Sequence, residues 1–259
     1  MQTRSMQTRE AKKWVDRAII AVLLLMGILM LMPFFWLFSM SFRPAAEAYK
    51  MPPSFFPPSF DLSNYQTVLA SSVPFLKIYW NSLYVAVLVT IGQLVTCTLA
   101  AFAYGRLRFP GRASLFFVML IGLMFPAQAT ILPIYLGYAK LGLLNNPLGL
   151  VLMGLTSSFG GFMLRQLLRS QPKELEEAAL MDGAGYFKIF WRISLPQLMP
   201  ALGALAILTF TGAWNAYFQP RALITSQDAM TLPIAMDLLR GYMSQGNLSA
   251  VMAAVSMAI

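Results

Sequence analysis

Residues 18–40 read AIIAVLLLMGILMLMPFFWLFSM, without a single Asp, Glu, Lys or Arg. A hydrocarbon core about 30 Å thick is crossed by roughly 20 mostly apolar residues in a helix, so this run is long enough to span one. It is too long for the apolar stretch of a signal peptide, and no small-residue cleavage pattern follows it, so it reads as a retained membrane helix. Working outward, four further uncharged runs occupy residues 82–104, 113–136, 147–164 and 198–218. A sixth starts near residue 248 and stops with the sequence at Ile259. Its length, about 18 Å at 1.5 Å per residue, falls short of the core, so the sequence is expected to be truncated within its last helix.

The composition agrees: 58% of the 259 residues are hydrophobic and only 11% charged, far from the balance of a water-soluble domain. The fold expected is an all-α polytopic membrane protein, one domain over residues 1–259, with six transmembrane helices and no repeat, low-complexity tract or soluble domain. A formal charge of +9 could suggest nucleic acid, but the basic residues are scattered between apolar runs, which argues for topology and against a nucleic-acid face. There is no histidine, and the one cysteine, Cys97, lies inside an apolar run between Thr96 and Thr98. That excludes an internal disulfide and the common His or Cys metal sites; Cys97 reads as a small residue at a helix interface, and the methionines of the first run as lipid-facing or packing filler.

Positively charged loops are retained in the cytoplasm. One set of alternate segments holds 13 of the 19 Lys and Arg, at residues 4–17, 106–112 and 165–192; the other holds Arg43, Lys50, Lys77, Lys140, Arg221 and Arg240. This places the N-terminus and residues 170–197 in the cytoplasm. Residues 42–80, with Pro-rich 51–58, and residues 221–247 are then external loops, and 139–146 a short external turn.

The cytoplasmic segment 170–197 is longer than a turn requires and carries helix signals. Pro172 suits a first helical position, Glu174, Glu176 and Glu177 put negative charge in the opening turns, and Leu175, Ala178 and Ala179 recur at helical spacing. The run Asp182-Gly183-Ala184-Gly185 breaks this helix. A second helical stretch, 186–195, sets Tyr186, Ile189 and Ile193 on one side and Lys188 and Arg192 on another, and Pro196 is expected to end it before the fifth membrane run. Such a helix, turn and helix can insert into a partner's groove.

Glu177-Ala178-Ala179, three residues, Gly183, nine residues and Ile193-Ser194-Leu195-Pro196 resemble the EAA loop of ABC importer permeases. Within that superfamily the chain is similar to the carbohydrate branch typified by the maltose permease, through residues 125–128, 132–135, 140–145, Ala213-Trp214-Asn215 and Thr231-Leu232-Pro233. The resemblance covers nearly the whole chain. It implies a coupling helix over Glu177, Ala178, Ala179, Asp182 and Gly183, supported by Ile193, Leu195 and Pro196 and seated in a cleft of a separate ATPase subunit. It implies also a second, homologous permease, two ABC ATPase subunits that bind ATP and Mg, and an extracytoplasmic solute-binding protein. The setting is the plasma or inner membrane of a bacterium or archaeon. This chain itself would hold no cofactor and be no enzyme. Importers of this kind carry sugars, polyols, glycerol phosphate or acidic oligosaccharides, and the motifs do not choose among them. The family's short tail beyond the sixth helix is missing from the sequence.

Around Gly183 the residue types suit the role: small alanines allow close approach, Glu177 can face basic groups, and glycine permits a positive φ. For a pathway, Gln128, Trp214, Asn215 and Tyr217 are the candidates, as an amide and aromatic rings can bind and stack on sugars; aromatic belting of the membrane interface is the alternative for the rings. Asn81 and Gln93 can line a cavity or bond helices together. An ion-coupled secondary transporter is the rival function, but such carriers place ionisable residues inside the membrane, and the five uncharged runs hold none. An intramembrane enzyme lacks its histidine base and carboxylate pair. No G-x-x-x-x-G-K-[ST] is present to cradle ATP phosphates.

Overall fold

The computed structural model describes residues 2–50, 55–243 and 247–259, so residues 51–54 of the Pro-rich stretch and 244–246 of the last loop lie outside the described residues. In chain order the helices are α1 (Gln2–Ser41), α2 (Ser63–Leu69), α3 (Phe75–Gly105), α4 (Arg112–Ile121), α5 (Ile131–Leu141), α6 (Pro147–Gly154) and α7 (Ser158–Ser170). They continue as α8 (Glu174–Met181), α9 (Tyr186–Ile189), α10 (Leu195–Trp214), α11 (Phe218–Leu223), α12 (Leu232–Met243) and α13 (Leu248–Ala258), with no strand among the described residues. Among the described residues, four stretches are long and apolar enough to cross a membrane: Trp14–Ser41, Phe75–Gly105, Pro147–Ser170 and Tyr186–Trp214. These correspond to the first, second, fourth and fifth apolar runs.

The third run, expected as one helix over 113–136, is two. α4 stops at Ile121, and residues 122–130 turn through bonds such as Leu123 N–H to Leu120 O at 3.0 Å and Ala129 N–H to Pro126 O at 3.0 Å. Pro126 lacks the donor a helix needs and keeps Phe125 out of the helical region, so an apolar run that hydropathy alone reads as continuous is broken by its backbone chemistry. The two expected external loops are also not loops throughout. Residues 42–80 contain α2 and the start of α3, and 221–247 contain the end of α11 and all of α12.

The fourth run is interrupted between α6 and α7, and its free backbone groups have partners. Asn146 caps α6 by accepting from Leu148 N–H at 2.9 Å, and Ser157 caps α7 by accepting from Gly160 N–H at 3.1 Å. From α3, Gln93 Nε2 donates to Gly154 O at 2.8 Å, Thr96 Oγ1 to Leu155 O at 2.6 Å and Cys97 Sγ to Ser157 O at 3.4 Å. Exposed carbonyls in a break would be costly in an apolar surround, so polar side chains on the facing helix are what make the break tolerable. Gln93 thus bonds one helix to another, one of the two roles open to a polar side chain inside a membrane run.

The chain divides into two compact units, residues 1–72 with 238–259 and residues 73–237. In the first, Asn64 Nδ2 donates to Ser41 O at 2.9 Å and Arg43 O at 2.7 Å, and the Tyr65 hydroxyl lies 2.8 Å from Ser41 Oγ and 3.0 Å from Ser256 Oγ. The second unit packs α3 against α7 and α10 around Cys97, Ala101, Phe102, Leu164, Leu168, Ile189, Phe190, Leu198 and Leu205. Close approach here depends on Gly160, where a Cβ would lie 2.9 Å from Cys97 Sγ and 3.2 Å from Leu205. Asn145, at φ +56°, uses its side-chain oxygen to accept from Thr225 N–H at 2.6 Å and Ser226 N–H at 2.9 Å, tying two connections together.

Candidate functional site

The segment 170–197 folds as a helix, a turn and a longer helix. In α8 the first turn carries Glu174, Glu176 and Glu177, where carboxylates complement the positive end of the helix dipole. The far end closes by a Schellman arrangement: Gly183 N–H donates to Leu180 O at 3.0 Å and Ala184 N–H to Ala179 O at 2.9 Å. That closure requires a left-handed residue, and Gly183 has φ +78°, the positive φ expected of it. Within α8 every residue except Glu176 and Ala179 is exposed. Leu175, Glu177, Ala178 and Met181 therefore form an outer face, with Asp182 and Gly183 exposed beside it. The expected stripe of Leu175, Ala178 and Ala179 is split, because consecutive helical residues are turned by about 100° and only Ala179 reaches the core.

Beyond the turn, α9 passes through a π-helical turn, Phe190–Ser194, straight into α10. Pro196 does not end this helix. It sits in the first turn of α10, just past a widened turn whose hydrogen-bond pattern already departs from the α ladder, so its missing N–H breaks nothing. Ile189 and Phe190 are buried, with the Phe190 ring 5.2 Å from that of Phe102, and Ile193 packs on the same cluster. Tyr186, expected on that side, is exposed, as are Lys188 and Arg192. Of the other motif residues Leu195 is half-buried and Pro196 exposed.

One constellation at this site is absent from the sequence reading. Glu176 is buried, with its carboxylate 2.9 Å from Arg106 Nε. Ser194 Oγ donates to the same carboxylate at 3.0 Å, and Arg106 Nη2 donates to Gln171 O at 3.2 Å. Ser194 was in view inside Ile193-Ser194-Leu195-Pro196, as a small hydroxyl between apolar residues. Arg106 looked like one more positive loop residue, and only the fold brings it to Glu176.

The candidate pathway residues are not gathered in one place. Trp214 is half-buried, its ring 5.5 Å from Tyr79 and 5.8 Å from Phe210. Asn215 is exposed and donates to Thr211 O of its own helix at 2.9 Å. Tyr217 donates its hydroxyl to Asp237 Oδ2 at 2.6 Å, which raises the phenol's pKa above its ordinary value, and Gln128 is exposed in the turn after α4. None of the four lines the cavity of about 400 Å³ that opens among α3, α6, α7, α10 and α11. Its polar lining is Gln93, Thr156, Ser157, Thr209, Gln219 and Thr231, and no lining residue is charged. Asn81 serves structure instead, donating to Asp228 O at 2.9 Å and Met230 O at 3.0 Å.

Residues 95–259, more than half of the chain, match the family described as binding-protein-dependent transport system inner membrane component. The chain is 34% identical over 218 residues to the diacetylchitobiose uptake system permease protein of Streptomyces coelicolor, covering 83% of this chain and 72% of that one. It is 32% identical over 220 residues to the sn-glycerol-3-phosphate transport system permease protein of Yersinia enterocolitica, covering 83% and 78%. It is 30% identical over 201 residues to the arabinooligosaccharides transport system permease protein of Halalkalibacterium halodurans, covering 77% and 72%. Among solved structures it resembles a bacterial ABC transporter involved in the import of the acidic polysaccharide alginate, with a TM-score of 0.80 at 26% identity over 95% of this chain and 91% of that one.

Proposed function

We infer the function from one premise: the chain belongs to the family of binding-protein-dependent transport system inner membrane components. It is a membrane-spanning permease subunit of an ATP-binding-cassette importer, not an enzyme and not an ion-coupled carrier. In our reading α8 is the coupling helix. Its outer face, with Glu177, Ala178, Asp182 and Gly183, seats in an ATPase subunit that binds ATP and Mg, while Ala179 and Ile193 pack on the membrane helices and Leu195 and Pro196 open α10 behind them. A second permease completes the pathway, and a solute-binding protein delivers the cargo from the opposite face. The bias of Lys and Arg puts α8 and the N-terminus in the cytoplasm.

The observation that carries this reading is α8 itself, a helix exposed at all but two residues and closed rigidly at Gly183. A helix this bare gains little from its own chain, so its partner lies elsewhere. For the cargo, the uncharged cavity with its amides and hydroxyls favours a neutral sugar or related polyhydroxyl solute over the phosphate- and carboxylate-bearing cargoes in the names of some relatives. Trp214, Asn215, Tyr217 and Gln128 belong to this proposal as contacts outside that cavity.

The test is uptake in proteoliposomes that hold the chain with a second permease, an ATPase subunit and a solute-binding protein of the same importer. The cargo is a labelled neutral sugar retained by that binding protein. Uptake is expected to require Mg-ATP on the α8 side and to be indifferent to ionophores. Accumulation driven by a proton or sodium gradient without ATP would overturn the reading.

A further inference from the structure

The attachment of α8 to its own chain is narrow. Its only residues that are not exposed are Glu176 and Ala179, so the side chains it withdraws from the surface are one carboxylate and one methyl group. That carboxylate is not left to solvent. The two side chains of the Arg106–Glu176 pair are 4% and 9% exposed. Arg106 is the residue that caps α3, its N–H bonded to Phe102 O at 2.9 Å, and Ser194 is the last residue of the π-helical turn that enters α10. Together with the bond from Arg106 to Gln171 O, one buried ion pair joins α3, the approach to α8, α8 itself and the start of α10.

A buried ion pair is poor value as a stabiliser, because desolvating both charges offsets most of their attraction. What it does supply is a fixed geometry, since a carboxylate held by both a guanidinium N–H and a hydroxyl tolerates little displacement. Glu177, the next residue and turned about 100° from it on the helix, is exposed. Adjacent acids on α8 thus face different bodies, one outward and one into this subunit.

We propose that Glu176 is a positioning residue for coupling: through Arg106 and Ser194 it makes α8 move as one body with the ends of α3 and α10. Displacement of the docked helix then reaches the cavity, which α3 and α10 both line. The proposal rests on the reading of α8 as the coupling helix and adds the link by which its motion enters the membrane helices. Docking belongs to the outer face; transmission belongs to Glu176.

The test uses the complete importer and two probes, a non-hydrolysable ATP analogue and a membrane-impermeant thiol reagent. A cysteine at the cavity-lining position, Ala213→Cys, reports the state of the cavity; buried Cys97 is controlled by the importer without it. In the otherwise unaltered importer the analogue should change the labelling rate of this cysteine by about fivefold or more, the lower range of allosteric couplings. With Glu176→Gln added, the ATPase should still co-purify and bind the analogue, but the labelling rate should no longer respond. Should Glu176→Gln fail to insert, Arg106→Ala with Glu176→Ala leaves no unpaired buried charge and should give the same result. A full nucleotide response in either variant would overturn the proposal, as would loss of ATPase association in both. If the importer with Ala213→Cys alone neither holds an ATPase nor responds, it is the coupling-helix reading that fails.

Discussion

Gly183 has φ +78°, and nothing lies within 4 Å of where its Cβ would be. A side chain there meets no neighbour, so the cost of substitution is backbone conformation alone, about 1–2 kcal/mol for an L-residue forced left-handed. Gly183→Val should therefore reduce uptake through a loosened α8 turn while membrane insertion is unchanged, and Gly183→Asn should keep most of the activity, because Asn visits this region readily. Comparing uptake at equal expression checks it; equal transport by Val and Asn would contradict a conformational role. The positive φ was legible because glycine takes the left-handed position at a sharp helix stop at the least cost. The division of labour between Glu176 and Glu177 was not. Two adjacent carboxylates look alike in a sequence, and which one turns inward is decided by Arg106, 70 positions away.

At the scale of elements, hydropathy found the apolar runs but not their breaks. The run 113–136 splits because Pro126 withholds a donor, and the fourth run splits because side chains of α3 accept the cost of its open carbonyls. The second cause is in part nonlocal: Ser157 is a local N-cap, but the donors from α3 that satisfy the open carbonyls lie outside residues 147–164. Pro196 misled in the opposite direction, as a helix stop, since the π-helical turn before it changes which carbonyl its missing N–H would have met. The break between α6 and α7 predicts a measurable dependence. Gln93→Leu and Thr96→Val leave the carbonyls of Gly154 and Leu155 without these donors, each at about 1–3 kcal/mol, so thermal unfolding of the detergent-purified importer should shift downward for both. ATPase association should persist, as neither residue lies near α8 in the fold's bonding pattern. An unchanged midpoint for both variants would mean the carbonyls find other partners.

For the molecule as a whole, what was legible was its class: several apolar runs and one loop too long for a turn. What needed the fold was where a cargo could lie. The rings and amides near Trp214 looked suited to sugars, yet the cavity is walled by their neighbours Thr209 and Gln219 together with Gln93 of α3, 116 positions before Thr209. The central claim is that the outer face of α8 docks on a separate ATPase and couples it to transport. Glu177→Lys tests it most directly, because this exposed side chain can reverse its charge with little effect on the subunit's own fold. The measurement is ATPase co-purification alongside uptake for the same variant. A loss of association, or hydrolysis no longer tied to uptake, whatever the cargo, is the predicted result; wild-type association together with wild-type coupled uptake would contradict the account.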